Sequence, residues 1–219
     1  MTGRSGVRPS ANASTLLVLE DAGSVRRGMR STAEHHGCCV LLAATVAEAE
    51  AVVAEHEVTA LSIDLDLEDG TGREGGLEFL SRLRAKSKDG PPALILTGTA
   101  EDGLSIRPAR LQALYVHKPV DLGCPEVTRF LQATASWPEL KAKLDAIVEA
   151  HDSLNELHFD LMKLYLFLGV EELSTALGLS PQGYYKRFKP LKDALALKTV
   201  HTVWQHLCLN AGVRAAVQK

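Results

Sequence analysis

Leu61-Ser62-Ile63-Asp64-Leu65-Asp66-Leu67-Glu68-Asp69-Gly70-Thr71-Gly72 is the stretch on which the reading of the whole chain turns. An apolar run that becomes acidic and then meets glycine has the pattern of a buried strand entering a loop, with its last side chain at the carboxyl edge of a sheet. Open α/β sheets bind ligands at that edge. Asp64 sits at the exit. Taken alone, a carboxylate there is as readily a loop acid or a helix cap as a functional group, so the flanking segments must decide.

Upstream, residues 15–19 are a short β-rich run ending in Glu20 and Asp21, and an amphipathic helix is expected over 25–36. Residues 40–42 read as a second strand and 46–56 as a helix with Val46, Ala49, Val52 and Val53 on one face. Residues 58–65 are the third strand. Downstream, a helix is expected over 76–86, a fourth strand over 93–96 ending at Thr97 and Gly98, and a fifth over 114–117, stopped by Lys118 and Pro119. Strands alternating with helices at this spacing predict an α/β doubly wound, parallel, five-stranded sheet with right-handed crossovers.

In such a sheet every strand ends at the same edge, so Glu20, Asp21, Asp64, Thr97 and Lys118 converge there. Carboxylates gathered at a buried edge repel one another unless a cation intervenes. Oxygen ligands with room for water and phosphate suit Mg²⁺. Thr97 and Lys118 can then contact the oxygens of a transferring phosphoryl group, with Asp64 as the nucleophile.

These residues carry a resemblance. From Thr15 to about Ala135 the chain resembles the receiver domain of two-component response regulators, which is flavodoxin-like. The likeness rests on Leu19-Glu20-Asp21, on Asp64 followed by Leu67 and Gly72, on Leu96-Thr97-Gly98, and on Tyr115-Val116-His117-Lys118-Pro119. It implies that Asp64 accepts phosphate from a sensor histidine kinase. It further implies that Glu20, Asp21, Asp64 and the backbone carbonyl of Asp66 hold Mg²⁺, that Thr97 and Lys118 read the phosphate, and that Tyr115 is an aromatic switch. A cis Lys118–Pro119 bond is expected on the same ground. Asp66 is a rival acceptor, because alternation puts it on the same side as Asp64; the spacing to Leu67 and Gly72 favours Asp64. Two departures stand out. Glu68 replaces the usual proline, with residues 73–75 inserted after it. Gly103 and Pro108 argue against a regular helix over 100–112, where the family's fourth helix belongs.

Ser136-Trp137-Pro138-Glu139 opens a connector, with serine as the expected N-cap. Leu140, Leu144, Ile147, His151, Leu154, His158, Leu161, Tyr165 and Leu168 alternate by four and three, the pattern of one helix of roughly 45 Å able to pair two protomers. Two shorter helices using the same stripe as core are the alternative. Beyond it, a short helix over 171–178 ending at Gly178, a cap at Ser180 and Pro181, and a helix through Tyr184 to Lys189 resemble a Fis-type helix-turn-helix. That resemblance places Gln182, Tyr185, Lys186 and Lys189 outward as DNA contacts. A further amphipathic helix is expected over 193–212.

The domains read from sequence are a lead-in (1–13), a receiver (14–135), a helical connector and possible dimerisation helix (136–168) and an all-α helix-turn-helix output domain (169–219). The net charge of −3 excludes a globally basic nucleic-acid binder. Cys38, Cys39, Cys124 and Cys208 lack metal or disulfide spacing, no segment is apolar and long enough to span a membrane, and a cytoplasmic protein is expected. The expected function is a phosphorylation-controlled, homodimeric transcription regulator with a histidine kinase and DNA as partners. Its only chemistry is self-catalysed transfer onto Asp64 and hydrolysis from it, so no ordinary enzyme is expected. The alternative is a module that docks a protein partner without DNA.

Overall fold

Short apolar segments form the strands of a parallel sheet, buried on both faces where they lie inside it and half-buried where they lie at its edges, and among the described residues this chain has five of them. They form β1 (Thr15–Leu19), β2 (Cys39–Ala43), β3 (Ala60–Asp64), β4 (Ala93–Thr97) and β5 (Ala113–His117). The computed structural model describes residues 14–65, 67, 75–86, 90–98, 113–168 and 180–198. All neighbours pair in parallel, in the order β2-β1-β3-β4-β5. β3 is central and buried throughout, which explains its unbroken apolar character.

Helices α1 (Gly23–His35), α2 (Val46–Glu55), α3 (Gly75–Lys86) and α4 (Pro125–Ala135) cover the sheet. Met29 and Ala33 of α1 join Val127, Phe130 and Leu131 of α4 over one face, while Val46 and Ala49 of α2 join Leu77, Phe79 and Leu80 of α3 over the other. α1 ends at Gly37, whose φ of 91° lets Gly37 N–H reach Glu34 O at 3.0 Å and Cys38 N–H reach Ala33 O at 3.0 Å. Cys38 then turns inward, and burial pushes its thiol up to about 12. The helix doubted over 100–112 lies outside the described residues.

Of the two readings of the connector, the structure has the two shorter helices that use the apolar stripe as core. Ser136 makes no side-chain cap, and α5 (Trp137–Glu149) follows α4 after that one residue. The chain then leaves the helix at 150–155 and begins α6 (Glu156–Leu168). Asn155 explains the break: its N–H donates to His158 Nδ1 at 3.2 Å, the reciprocal half of a capping box with histidine in place of glutamate. Burial lowers the pKa of that imidazole. The heptad stripe is core after all. Leu140, Leu144, Leu154, Leu161 and Tyr165 share one apolar cluster with α4 and the sheet.

α6 packs against α4, α5 and β5, and all seven residues from Leu161 to Phe167 are buried. A helix enclosed on every side is part of a core, not a free lever. The Phe167 ring lies 5.5 Å from those of Phe130 and Trp137, edge to face. Lys163, the one cation in this run, donates to Gly90 O at 3.0 Å and lies 5.9 Å from the Trp137 ring.

The last described helix, α7 (Pro181–Ala194), starts as expected, with Ser180 Oγ accepting from Gly183 N–H at 3.1 Å. It runs through Pro190 because Phe188 and Leu191 are buried on either side of the lost hydrogen bond, Phe188 against Tyr165 at 5.8 Å. The helix expected from 193 onward is not continuous. Ala196 has a φ of 50°, and Leu197 N–H donates to Lys192 O at 2.9 Å, a helix stop with alanine in the usual glycine place. Residues 199–212 and the first helix of the helix-turn-helix, 171–178, lie outside the described residues.

Candidate functional site

β1, β3, β4 and β5 end side by side, and each brings one or two polar residues to that edge. Glu20 follows β1 and is 1 % exposed; its N–H donates to Ala43 O at 3.1 Å, and its Oε1 accepts from Ala22 N–H at 3.1 Å. Asp21 beside it is half-buried. Asp64 is the last residue of β3, 2 % exposed, opposite Leu96 in the ladder. One carboxylate oxygen from each of Glu20, Asp21 and Asp64 lies within 4.8 Å of the others.

Lys118 completes the cluster from β5. The Lys118–Pro119 peptide is cis, as expected, and the Lys118 N–H donates to Thr97 O at 2.6 Å. Its ammonium donates to Asp64 Oδ2 at 2.6 Å and to Glu20 Oε2 at 3.3 Å. Thr97 is buried at the end of β4. Tyr115 is half-buried on β5, paired with Ile95 in the ladder and 6.4 Å from the His117 ring. Asp66 lies outside the described residues.

The electrostatics are those of a site short of positive charge. Burial, then the neighbouring Asp64 carboxylate, raises the Glu20 carboxyl to about 7. Burial pulls the Lys118 ammonium down, but its contacts with Asp64 and Glu20 outweigh this and hold it above its usual value. The Lys118 ammonium thus answers two of the three clustered carboxylates directly, Asp64 and Glu20. Hard oxygen donors at a strand edge fit a small divalent cation such as Mg²⁺.

A pH dependence follows. Folded Glu20 binds its proton more tightly than unfolded Glu20, so its contribution to stability is full below about pH 4.5 and is lost as pH rises toward about 7. In chelator, wild type is expected to lose more stability between pH 5 and 7.5 than Glu20→Gln does, by roughly 2–3 kcal/mol for a shift of this size. Urea titrations at the two pH values measure it. Equal losses in the two proteins would dismiss Glu20 as the titrating group.

Gly76, in the first turn of α3, was not singled out in the sequence. A Cβ there would stand 2.7 Å from Asp64 O and 2.9 Å from Ile63 Cγ2, so the helix can approach the acceptor strand only at glycine. Gly76→Ala is expected to destabilise the fold by about 1–3 kcal/mol and to displace the Asp64 backbone. Thermal melts, with phosphate incorporation as the second readout, test this. The Gly75-Gly76 pair at a helix start was the available signal.

The residues expected to meet DNA stand together elsewhere. Gln182, Tyr185, Lys186 and Lys189 are all exposed and share one face of α7. Lys189 Nζ lies 2.6 Å from Asp193 Oδ2, and Lys192 Nζ 3.1 Å from Asp193 Oδ1, so one acid offsets part of the basic character.

Residues 16–123 match the family model of the response regulator receiver domain. No curated protein matches the chain significantly. Among solved structures, the non-phosphorylated HemR receiver domain from Leptospira biflexa is 28% identical, covering 49% of this chain and 84% of its own, with a TM-score of 0.43. A response regulator from Thermotoga maritima is 20% identical, over 51% and 89% of the two chains, with a TM-score of 0.44. Full-length FixJ from B. japonicum is 18% identical and covers 91% of this chain and 97% of its own, with a TM-score of 0.48.

Proposed function

We propose that this chain, whose residues 16–123 are the receiver domain of a two-component response regulator, takes a phosphoryl group from a sensor histidine kinase onto Asp64 and passes the change to its C-terminal helices. The observation that carries the proposal is the buried Asp64 carboxylate at the end of the central strand, held by Lys118 at 2.6 Å beside Glu20 and Asp21. An Asp64 oxygen attacks phosphorus, the bond to the kinase imidazole breaks, and an acyl phosphate forms. Receiver domains bind Mg²⁺ through an acidic cluster; here Glu20, Asp21, Asp64 and the Asp66 carbonyl would hold it, and it would neutralise charge on the transferring group. Lys118 exchanges its carboxylate partner for a phosphoryl oxygen, Thr97 donates to another, and Tyr115 responds as Thr97 moves. The acyl phosphate is then lost by hydrolysis, water taking the phosphoryl group as inorganic phosphate and Asp64 returning to the carboxylate.

The output proposed is DNA binding by α7 through Gln182, Tyr185, Lys186 and Lys189, in a cytoplasmic, phosphorylation-dependent homodimer. Pairing must use a surface other than the α5–α6 stripe, which is buried within the chain. No described helix is long and apolar enough to cross a membrane. The engagement of Lys189 and Lys192 by Asp193 favours the second reading, in which the same face docks a protein partner. Duplex binding by beryllofluoride-loaded protein, measured against salt, separates the two. DNA binding predicts an affinity that falls as salt rises, with a slope reduced by about 1 per lysine in Lys186→Ala and Lys189→Ala. Failure to retain any duplex at low salt would reject the DNA reading.

A further inference from the structure

We infer that Arg26 is a positioning residue for the acidic site, one that fixes the turn carrying Glu20 and Asp21; this rests on the metal-binding reading proposed above. The turn between β1 and α1 supplies two of the three clustered carboxylates. The start of α1 gives it little support. The N-cap is Ala22, which offers no side-chain bond, and the first turn contains no acid. Arg26 instead reaches back from α1, its Nη1 donating to Glu20 O at 2.6 Å and to Asp21 O at 3.3 Å. An arginine near a helix N-terminus opposes the macrodipole, so its place there calls for a compensating interaction. The two carbonyls provide one.

The consequence is geometric. Directing two successive carbonyls at one guanidinium nitrogen fixes both peptide units, and with them the directions in which the Glu20 and Asp21 side chains leave the backbone. Three further bonds depend on that conformation: Glu20 N–H to Ala43 O at 3.1 Å, Ala22 N–H to Glu20 Oε1 at 3.1 Å, and Arg26 N–H to Ala22 O at 3.0 Å. Arg26 touches no carboxylate in any of these bonds. It acts through the backbone of the residues that do bind, as an outer-shell partner orients a ligand.

The test compares wild type, Arg26→Ala, Arg26→Lys and, as a control on the same helix, Arg30→Ala, whose side chain, among the described residues, pairs with exposed Glu34. Amide exchange of Glu20 and Ala22 in chelator reads the turn without metal, and calorimetric Mg²⁺ titration reads the site. Arg26→Ala is expected to speed exchange at both amides and to weaken Mg²⁺ binding about tenfold, the lower end of outer-shell effects. Lysine, with a single point of charge, should recover part of the loss. Arg30→Ala should match wild type in both readouts. Unchanged exchange in Arg26→Ala overturns the inference. So does loosened exchange with unaltered affinity, or tighter Mg²⁺ binding, which would reduce Arg26 to a repelling charge. Absence of Mg²⁺ binding by the wild type overturns the metal reading itself, and that result is seen before any variant is compared.

Discussion

Asp64→Asn is expected to take up no phosphate from a phosphorylated kinase or from acetyl phosphate, with incorporation at background after any incubation. The amide is nearly isosteric but lacks the anionic oxygen that must attack phosphorus. No neighbour can replace it easily. Glu20 is buried, and its carboxyl, raised to about 7 by burial and by Asp64, is partly protonated near neutrality. Asp21 belongs to the turn after β1, not to the strand end that Lys118 contacts. The variant should remain folded, because losing one of two buried, mutually repelling carboxylates offsets the loss of the Lys118 contact. Its urea midpoint should therefore stay near that of wild type, and inactivity cannot be assigned to unfolding. Lys118→Ala separates acceptor from helper: the nucleophile remains, and uptake should slow by about 100-fold, the scale of losing one charge-stabilising donor. Intact-mass measurement over time reads both variants. Phosphate appearing on Asp64→Asn would move the acceptor elsewhere, with Asp66, the rival acceptor read from the sequence, the first candidate.

The acidic edge was legible because a parallel sheet converts sequence order into spatial convergence. Once residues 58–65, 93–96 and 114–117 read as strands, Asp64, Thr97 and Lys118 had to share an edge, whatever lay between them. What sequence could not supply was local backbone bonding. Arg26 looks like one more basic residue on an amphipathic helix until its guanidinium is seen on the Glu20 and Asp21 carbonyls. Gly76 looks like the mere start of a helix until the Asp64 carbonyl is found against it. The connector stayed open between two readings for another reason. A four-and-three apolar stripe is the same pattern whether its partner is a second protomer or the chain's own sheet, and periodicity cannot tell them apart. The break was nevertheless written in the sequence. Leu154, Asn155, His158 and Phe159 occupy staple, cap and capping-box positions of a new helix, and the polar run from His151 to Ser153 before them is a poor helix interior. The helix read through Tyr184 to Lys189 runs further than that, past Pro190, with Phe188 and Leu191 buried on either side of it.

Phe167→Ala is expected to destabilise the receiver itself, although residue 167 lies well beyond the 16–123 segment that defines that domain. Its side chain is fully buried, with the Phe130 ring of α4 and the Trp137 ring of α5 each 5.5 Å away. Truncating a phenylalanine in such a place costs about 3–5 kcal/mol, partly for lost burial and partly for the cavity left behind. In a chain of this size that lowers the melting midpoint by roughly 10 °C. The shift should appear in one transition shared by all probes, because α6 and α4 contribute to the same apolar cluster as β1, β4 and β5. By the same reasoning, a fragment ended after Ala135 loses the cover over Phe130 and the Lys163 bond to Gly90, at the entrance to β4, and is expected to aggregate or melt well below the full chain. Two separate transitions in Phe167→Ala, with the receiver transition unmoved, would show that α6 is a detachable unit. A single lowered transition would mean that any signal leaving Asp64 along β4 or β5 meets α6 as part of its own core, before it reaches α7.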